Sequence, residues 1–310
     1  MTRPVARSGP LDPALLARLG PLQVRARKVM EGVLTGLHQS PHQGQSVEFA
    51  EHKEYAPGDE IRHIDWRAFA KLDKYYVKRF EMETNLRALI VVDGSGSMAY
   101  GRGPLTKLQY AAICAGALAY LLSRQGDQVA LCISGEPEPG NTERLPAGVR
   151  SFTPFASSPA HVQEVLRRLE TAQGRGPTSL GGALDFAAEK AGRRALIIVV
   201  SDLFDESGHA VKALKMLRSR RHDVLLLQTH DREELDFPFD DPTRFLSMED
   251  DRQIEAQPRQ IRESYLAEFK LFLESTRREL VRTGVEVEQI ATDAPPDRVL
   301  LRLLARRESA

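Results

Sequence analysis

Two apolar runs end on carboxylates. Ala88-Leu89-Ile90-Val91-Val92 stops at Asp93-Gly94-Ser95-Gly96-Ser97, and Ala195-Leu196-Ile197-Ile198-Val199-Val200 stops at Ser201-Asp202. In the first loop alternate residues carry oxygen, and the glycines between them let a tight turn direct those oxygens toward one point. A carboxylate and two hydroxyls gathered in this way suit a hard cation such as Mg²⁺, which takes oxygen ligands and completes its shell with water. Mn²⁺ and Ca²⁺ share that preference.

Other chemistries fit these residues less well. A phosphoryl-transfer nucleophile at Asp93 would want a second aspartate two residues on as acid/base, and Ser95 stands there. A serine-hydrolase elbow needs glycine two residues either side of the nucleophile, whereas Ser97 has Ser95 and Ala99 at those offsets. No Gly-x-x-x-x-Gly-Lys-Ser/Thr phosphate loop occurs, so ATP hydrolysis would belong to a partner. His38 and His42 have a zinc-like spacing, but Pro41 interrupts a helix there and no Cys or acid cluster completes the set. Lys71, Lys74, Lys78 and Arg79 interleave with Tyr75, Tyr76 and Phe80, as on single-strand nucleic-acid surfaces, yet read better as the solvated face of a strand. Asp205 and Glu206 read as a solvated loop. A metal-dependent hydrolase using the Asp/Ser pocket is the competing functional class.

The elements that must position these residues alternate. Strands are predicted at 88–92, 128–133, 195–200, 223–228 and 285–290. Helices are predicted at 106–124, 161–171, 180–191, 210–218, 259–283 and 298–306. Strands separated by helices specify an α/β fold with a doubly wound, mostly parallel sheet flanked by helices, because parallel neighbours require crossovers. In such sheets ligands bind beyond the carboxyl ends of the strands, which is where Asp93 and Asp202 fall. Before the sheet, apolar residues at helical spacing over 15–37, broken near Gly20-Pro21, precede a stretch of short strands and turns marked by Pro57-Gly58-Asp59. The expected organisation is a flexible leader at 1–13, a small helix-plus-β module at 14–86 and the α/β domain at 87–310.

Composition narrows the partners. The 310 residues carry 43 Lys plus Arg and 43 Asp plus Glu, so no bulk attraction to nucleic acid or anionic membrane is expected. The apolar run at 110–122 is shorter than the roughly 18 residues of a membrane span, so no transmembrane segment is expected. Residues 1–13 are not followed by an apolar signal core, which favours a cytoplasmic location. Cys114 and Cys132 lie in apolar runs and read as buried thiols rather than a bridge.

Asp93-x-Ser95-x-Ser97, Thr178 within Gly176-Pro177-Thr178-Ser179-Leu180, and Asp202 behind the second strand together resemble the von Willebrand factor A domain. The resemblance implies a metal-ion-dependent adhesion site. Its ion would be held by Asp93, Ser95, Ser97, Thr178 and Asp202, directly or through water, with an open position filled by an acidic residue of a protein partner. Upstream, Ser40-Pro41, Gly44, Glu48-Phe49, Glu54-Tyr55-x-Pro57-Gly58-Asp59, Arg62, Ile64-Asp65-Trp66-Arg67 and Ala70 resemble the prokaryotic domain-of-unknown-function family 58, which joins such a segment to an A-like domain. That resemblance implies a non-enzymatic adaptor or co-chaperone working with a MoxR-type AAA+ ATPase in the assembly or maturation of protein complexes. Many relatives carry two transmembrane helices ahead of the motif, and this chain resembles the short soluble branch. Lys53 stands where arginine is common, and Ser179 where an aspartate often follows the threonine. Gly94 replaces a larger residue, which is expected to loosen the loop. Arg62, Asp65, Trp66 and Arg67 fit a partner surface or an internal clamp onto the A-like domain, and read better as the clamp, with Trp66 as a buried anchor.

Overall fold

The computed structural model describes residues 13–18, 21–38, 52–54, 76–78, 86–137 and 145–308. The chain divides into two compact units, one formed by 1–37 with 85–310 and the other by 38–84. In the smaller unit, β1 (His52–Glu54) pairs antiparallel with β2 (Tyr76–Lys78). The leader at 1–12, His42, and the motif and basic–aromatic residues at 40–51, 55–75, 79 and 80, Trp66 and the Arg62–Arg67 segment included, lie outside the described residues.

The larger unit opens with α1 (Pro13–Arg18) and α2 (Leu22–His38), and then runs β3 (Arg87–Val92), α3 (Lys107–Arg124), β4 (Gln128–Ser134), β5 (Val149–Ala156), α4 (Pro159–Thr171) and α5 (Leu180–Lys190). It continues through β6 (Leu196–Ser201), α6 (His209–Ser219), β7 (Asp223–His230), α7 (Arg232–Asp236), β8 (Thr243–Leu246), β9 (Gln253–Ala256), α8 (Pro258–Arg282), β10 (Glu286–Ala291) and α9 (Pro296–Glu308). Six strands form one sheet in the order β10-β7-β6-β3-β4-β5. All neighbours are parallel except β4 with β5. This is the doubly wound, mostly parallel α/β sheet that the alternation of elements specifies.

The two apolar runs are buried on both faces, and their alternation divides them between two cores. Ala88, Ile90 and Val92 of β3 join Ile198 and Val200 of β6 in a core roofed by α3, α4 and α9. Leu89 and Val91 join Ile197 and Val199 in the opposite core, under α5 and α6. Each Val, Leu or Ile among them contributes about 1.5–3 kcal/mol on burial, which fixes the register that brings the two strand ends level. Helix α2 lays Ala26, Val29, Met30 and Val33 into the first core. Gly116 of α3 makes room for it, since a Cβ there would meet Leu166 at 2.7 Å and Ala26 at 3.3 Å. The helix therefore packs within the α/β unit, whereas the sequence grouped it with residues 39–86.

Strand β5 escaped the reading of hydrophobic pattern because its burial is irregular and Pro154 interrupts it, a residue tolerated only at a sheet edge. The β8–β9 hairpin escaped it too, its four-residue strands leaving Leu246 and Ile254 exposed. Cys114 and Cys132 are both buried free thiols, and burial pushes each up to about 12.

Candidate functional site

Sheet order reverses at β3. The chain passes from β3 to β4 on one side and later returns to β6 on the other, so a crevice opens beyond their carboxyl ends. Val92 is level with Val200, and the Asp93 amide continues the ladder to the Val200 carbonyl at 2.9 Å. Asp93 and Asp202 are thereby held side by side at the mouth, each about 1 % exposed.

The Asp93 carboxylate is gripped by neutral donors. Oδ1 accepts from the Ser95 amide at 3.0 Å and from the Ser134 hydroxyl at 3.1 Å, and Oδ2 accepts from the Ser201 hydroxyl at 2.6 Å. Burial pushes this carboxyl above its ordinary range and the Asp202 charge adds to the push, while the bonds from Ser201 and Ser95 pull it back. Ser95 Oγ lies 3.0 Å from Ser97 Oγ, at the entry to a short 3-10 turn, Gly96–Ala99. Among the described residues neither hydroxyl bonds a histidine, as an activated nucleophile would require.

Thr178 reaches the crevice through its backbone. The Gly96 amide donates to the Gly176 carbonyl at 2.8 Å and the Arg175 amide to the Gly94 carbonyl at 3.0 Å, which zips the two loops together. Gly176 takes a left-handed φ of 72° in this turn. Buried Arg150 staples the same loop by donating to the Gln173 and Arg175 carbonyls. The loop around Gly94 is consequently closed rather than loosened: a Cβ at that position would run into the Ser134 carbonyl and the Arg150 guanidinium.

Asp202 differs from Asp93 in having a counter-charge, which it shares with Glu234. Lys107 Nζ donates to Asp202 Oδ2 at 2.7 Å and to Glu234 Oε1 at 2.6 Å, with the lysine fully buried. Asp202 Oδ1 accepts from the Phe204 amide at 3.1 Å. Lys107 is the first residue of α3, behind the Thr106 cap, where the positive end of the helix dipole disfavours a cation. Burial pulls its ammonium down, but Asp202 and Glu234 outweigh burial and hold it above the ordinary lysine value. Glu234 also accepts the Asp231 amide at 2.7 Å, so the capping box of α7 anchors the far end of this bridge.

One acid enters from a direction the sequence did not signal. Glu249, in the β8–β9 turn, accepts the Thr178 amide on Oε2 at 3.0 Å. Its Oε1 is buried without a hydrogen-bond partner. Burial raises this carboxyl, and the Asp202 and Asp93 charges add to that, against the Thr178 amide and the Ser97 hydroxyl. Glu249, Ser97, Thr178 and Glu234 border a cleft of about 830 Å³ whose other walls include Phe204, Phe272 and Arg252. Near its rim Asp205 accepts the Ser207 and Ala210 amides, so it shapes the turn into α6. A second cleft, of about 640 Å³, lies at the opposite edge of the sheet, among Arg194, Lys215, Arg218 and Arg221, and holds none of the candidate residues.

The five predicted residues thus border one crevice, with Asp93, Ser95 and Ser97 in direct contact, Thr178 zipped alongside and Asp202 turned toward Lys107. Ser134, Ser201, Lys107, Glu234 and Glu249 were missed. Ser134 and Ser201 could have been found as the last residues of β4 and β6, and Lys107 as a cation opening an apolar helix. Among the described residues no group of three or more His, Cys, Asp or Glu side chains is set to hold a metal ion. The donor set is instead rich in hydroxyls. Together with the Asp93 carboxylate and the unpartnered Glu249 Oε1 it offers oxygen alone, which fits a hard cation.

The model of the family described as "Protein of unknown function DUF58" matches residues 51–271. The uncharacterized protein Rv1480 of Mycobacterium tuberculosis is 25% identical over 233 residues, which cover 73% of this chain and 68% of that one. Among solved structures, the conserved hypothetical protein BatB from Bacteroides thetaiotaomicron aligns at 16% identity and a TM-score of 0.44, over 73% of this chain and 100% of its own. An aerotolerance-related membrane protein from Bacteroides fragilis aligns at 18% identity and a TM-score of 0.46, over 72% of this chain and 98% of its own.

Proposed function

We propose that this chain, which belongs to the DUF58 family of proteins of unknown function, is a non-enzymatic interaction module of the von Willebrand A-like kind. In this reading the crevice beyond β3 and β6 takes a hard divalent cation, Mg²⁺ first, and through it an acidic side chain of a protein partner. The observation that carries the reading is the condition of Asp93. It is a buried carboxylate whose donors are one amide and two hydroxyls, and it shares its crevice with the second carboxylate of Asp202. A buried charge matched only by neutral donors is costly, and a cation would offset that cost.

Asp93, Ser95 and Ser97 would hold the ion with Thr178 beside them, and Asp202, already engaged by Lys107, would act through water. Bound there, the ion supplies a Lewis-acidic position for a carboxylate oxygen. The chain's own residues do the rest. Ser134 and Ser201 fix the orientation of the Asp93 carboxylate, the zipped loops hold the hydroxyls in place, and Lys107 removes one negative charge from the balance. The family resemblance supplies the partner in this reading: a MoxR-type AAA+ ATPase in the cytoplasm, which the module would serve as adaptor or co-chaperone during assembly or maturation of protein complexes.

The test is calorimetric titration of Mg²⁺, with Mn²⁺ as a check, into the chelator-treated chain and its Asp93→Ala variant, with circular dichroism confirming that both are folded. Binding by the parent and none by the variant is expected, with capture of the ATPase that requires Mg²⁺ and stops in chelator. A folded parent that binds neither ion, or ATPase capture indifferent to chelator, would overturn the reading.

A further inference from the structure

Resting on the metal reading above, we infer that the chain carries its own acidic ligand for the site: the β8–β9 hairpin delivers Glu249 to the position that a partner's carboxylate would take. Two contacts and one unsatisfied atom place the hairpin tip there. The Thr178 amide donates to Glu249 Oε2 at 3.0 Å, so the glutamate is bonded to a residue of the candidate ligand set. Its other oxygen, Oε1, is buried yet has no hydrogen-bond partner, a condition that protein interiors rarely tolerate. Finally, the Met248 carbonyl occupies the place where a Cβ on Gly96 would stand, so the glycine between the two serines is what admits the tip.

The tip is built to present this side chain. Ser247 Oγ accepts the Glu249 and Asp250 amides at 3.3 Å each, Asp250 accepts the Arg252 amide at 3.0 Å, and the Ser247 amide closes the turn on the Arg252 carbonyl at 2.9 Å. The strands below are held on one side, where Phe245 stacks on Phe237 with centroids 5.6 Å apart. On the other side Leu246 is 62% exposed, and Ile254, which pairs with Phe245, is 67% exposed as well. A hairpin anchored at its base and thinly covered near its tip can release the tip without unfolding the sheet. Glu249 therefore completes the site in the resting chain, and an acidic partner binds by displacing it, so that the affinity for a partner is reduced by the hairpin's occupancy.

Mn²⁺ is the probe. It is titrated into the chelator-treated full chain, E249Q and D93A, reading both affinity and the number of inner-sphere waters from water-proton relaxation. The parent is expected to bind Mn²⁺ and D93A to lose it. E249Q is expected to bind at least about tenfold more weakly, the scale reached when even supporting groups of a metal site are removed, and to hold one more water than the parent. A second arm needs no variant: hydrogen exchange of the parent with and without Mn²⁺, where protection of amides over 243–256 and of Thr178 is expected. If the parent binds Mn²⁺ but E249Q matches it in affinity and hydration, or the hairpin amides are unchanged by the ion, the inference falls and the metal reading stands. If the parent binds no Mn²⁺, both fall together.

Discussion

The loops after β3 and β6 end adjacent strands of one sheet, and each buries an aspartate to about 1 % exposure. Their solutions to that burial are opposite. Asp202 is paired with a buried ammonium from the first turn of α3, which Glu234 shares. Asp93 is surrounded by the Ser95 amide and the Ser134 and Ser201 hydroxyls, and among the described residues it has no ion pair. One carboxylate is thus neutralised by the fold itself and the other is only oriented by it. The difference teaches which loop the proposed cation would serve: one aspartate already has its charge opposed by Lys107, and the other is where an added cation would lower the energy most.

Breaking the neutralised side has the largest expected effect. Lys107→Met retains the apolar stem and removes the ammonium, leaving Asp202 and Glu234 buried together without a counter-charge. Loss of one partner from a buried pair typically costs about 3–5 kcal/mol, and urea unfolding at neutral pH should read a loss of that size. A loss within about 1 kcal/mol would mean that water or a rearranged donor already serves Asp202, and the contrast between the two loops would dissolve.

His230, the last residue of β7, sharpens the contrast from the same side. Its ring is about 1 % exposed and neither nitrogen has a hydrogen-bond partner. Burial pushes it down to about 4, the Lys107 ammonium adds to that, and Asp202 opposes it. Unfolded, the same imidazole titrates near 6.5. Between those values the unfolded chain binds a proton that the folded chain refuses, so the stability is complete above about pH 6.5 and is lost as pH falls toward 4. At 1.36 kcal/mol per unit the loss reaches about 3 kcal/mol. His230→Phe extends the ring cluster of Phe204 and Phe269, whose centroids lie 6.2 and 5.5 Å away. The parent-minus-variant difference in unfolding free energy should therefore shrink with acid by that amount. An equal acid response in both chains would show that the imidazole is not held neutral by this environment.

How much of this was legible follows the same division. The two fully apolar runs announced β3 and β6, and since sites form beyond the carboxyl ends of such strands, Asp93 and Asp202 could be placed from the sequence alone. Asp93, Ser95 and Ser97 were readable because their chemistry is local, spaced by glycines in one loop. Lys107 was not. Its sequence neighbours form an apolar helix, and only the crossover that sets α3 beside β6 gives the charge a destination. Glu249 was hidden for a different reason: the hairpin that carries it has strands too short and too exposed to impose a hydrophobic period, so nothing marked it as structured. The mobility expected of Gly94 failed because the position is crowded from outside its own loop, by the Ser134 carbonyl and Arg150, which no local rule can register.

The smallest effect tests the oriented side directly. Asp93→Asn preserves the shape of the group and its acceptor toward the Ser95 amide, while the new amide faces Ser201, whose hydroxyl has a lone pair free to accept. The substitution removes a charge that burial and Asp202 both disfavour. In chelator at neutral pH the variant should be more stable than the parent by about 1 kcal/mol, the lower end of what replacing a buried charge with a neutral group gives. Added Mg²⁺ should stabilise the parent by mass action and leave the variant unmoved, so that the two denaturation curves exchange order as the ion rises. If they do not cross, the amide and hydroxyls around Asp93 are sufficient for its charge. The two loops would then differ only in which donors the fold supplies, with no cation called for at either.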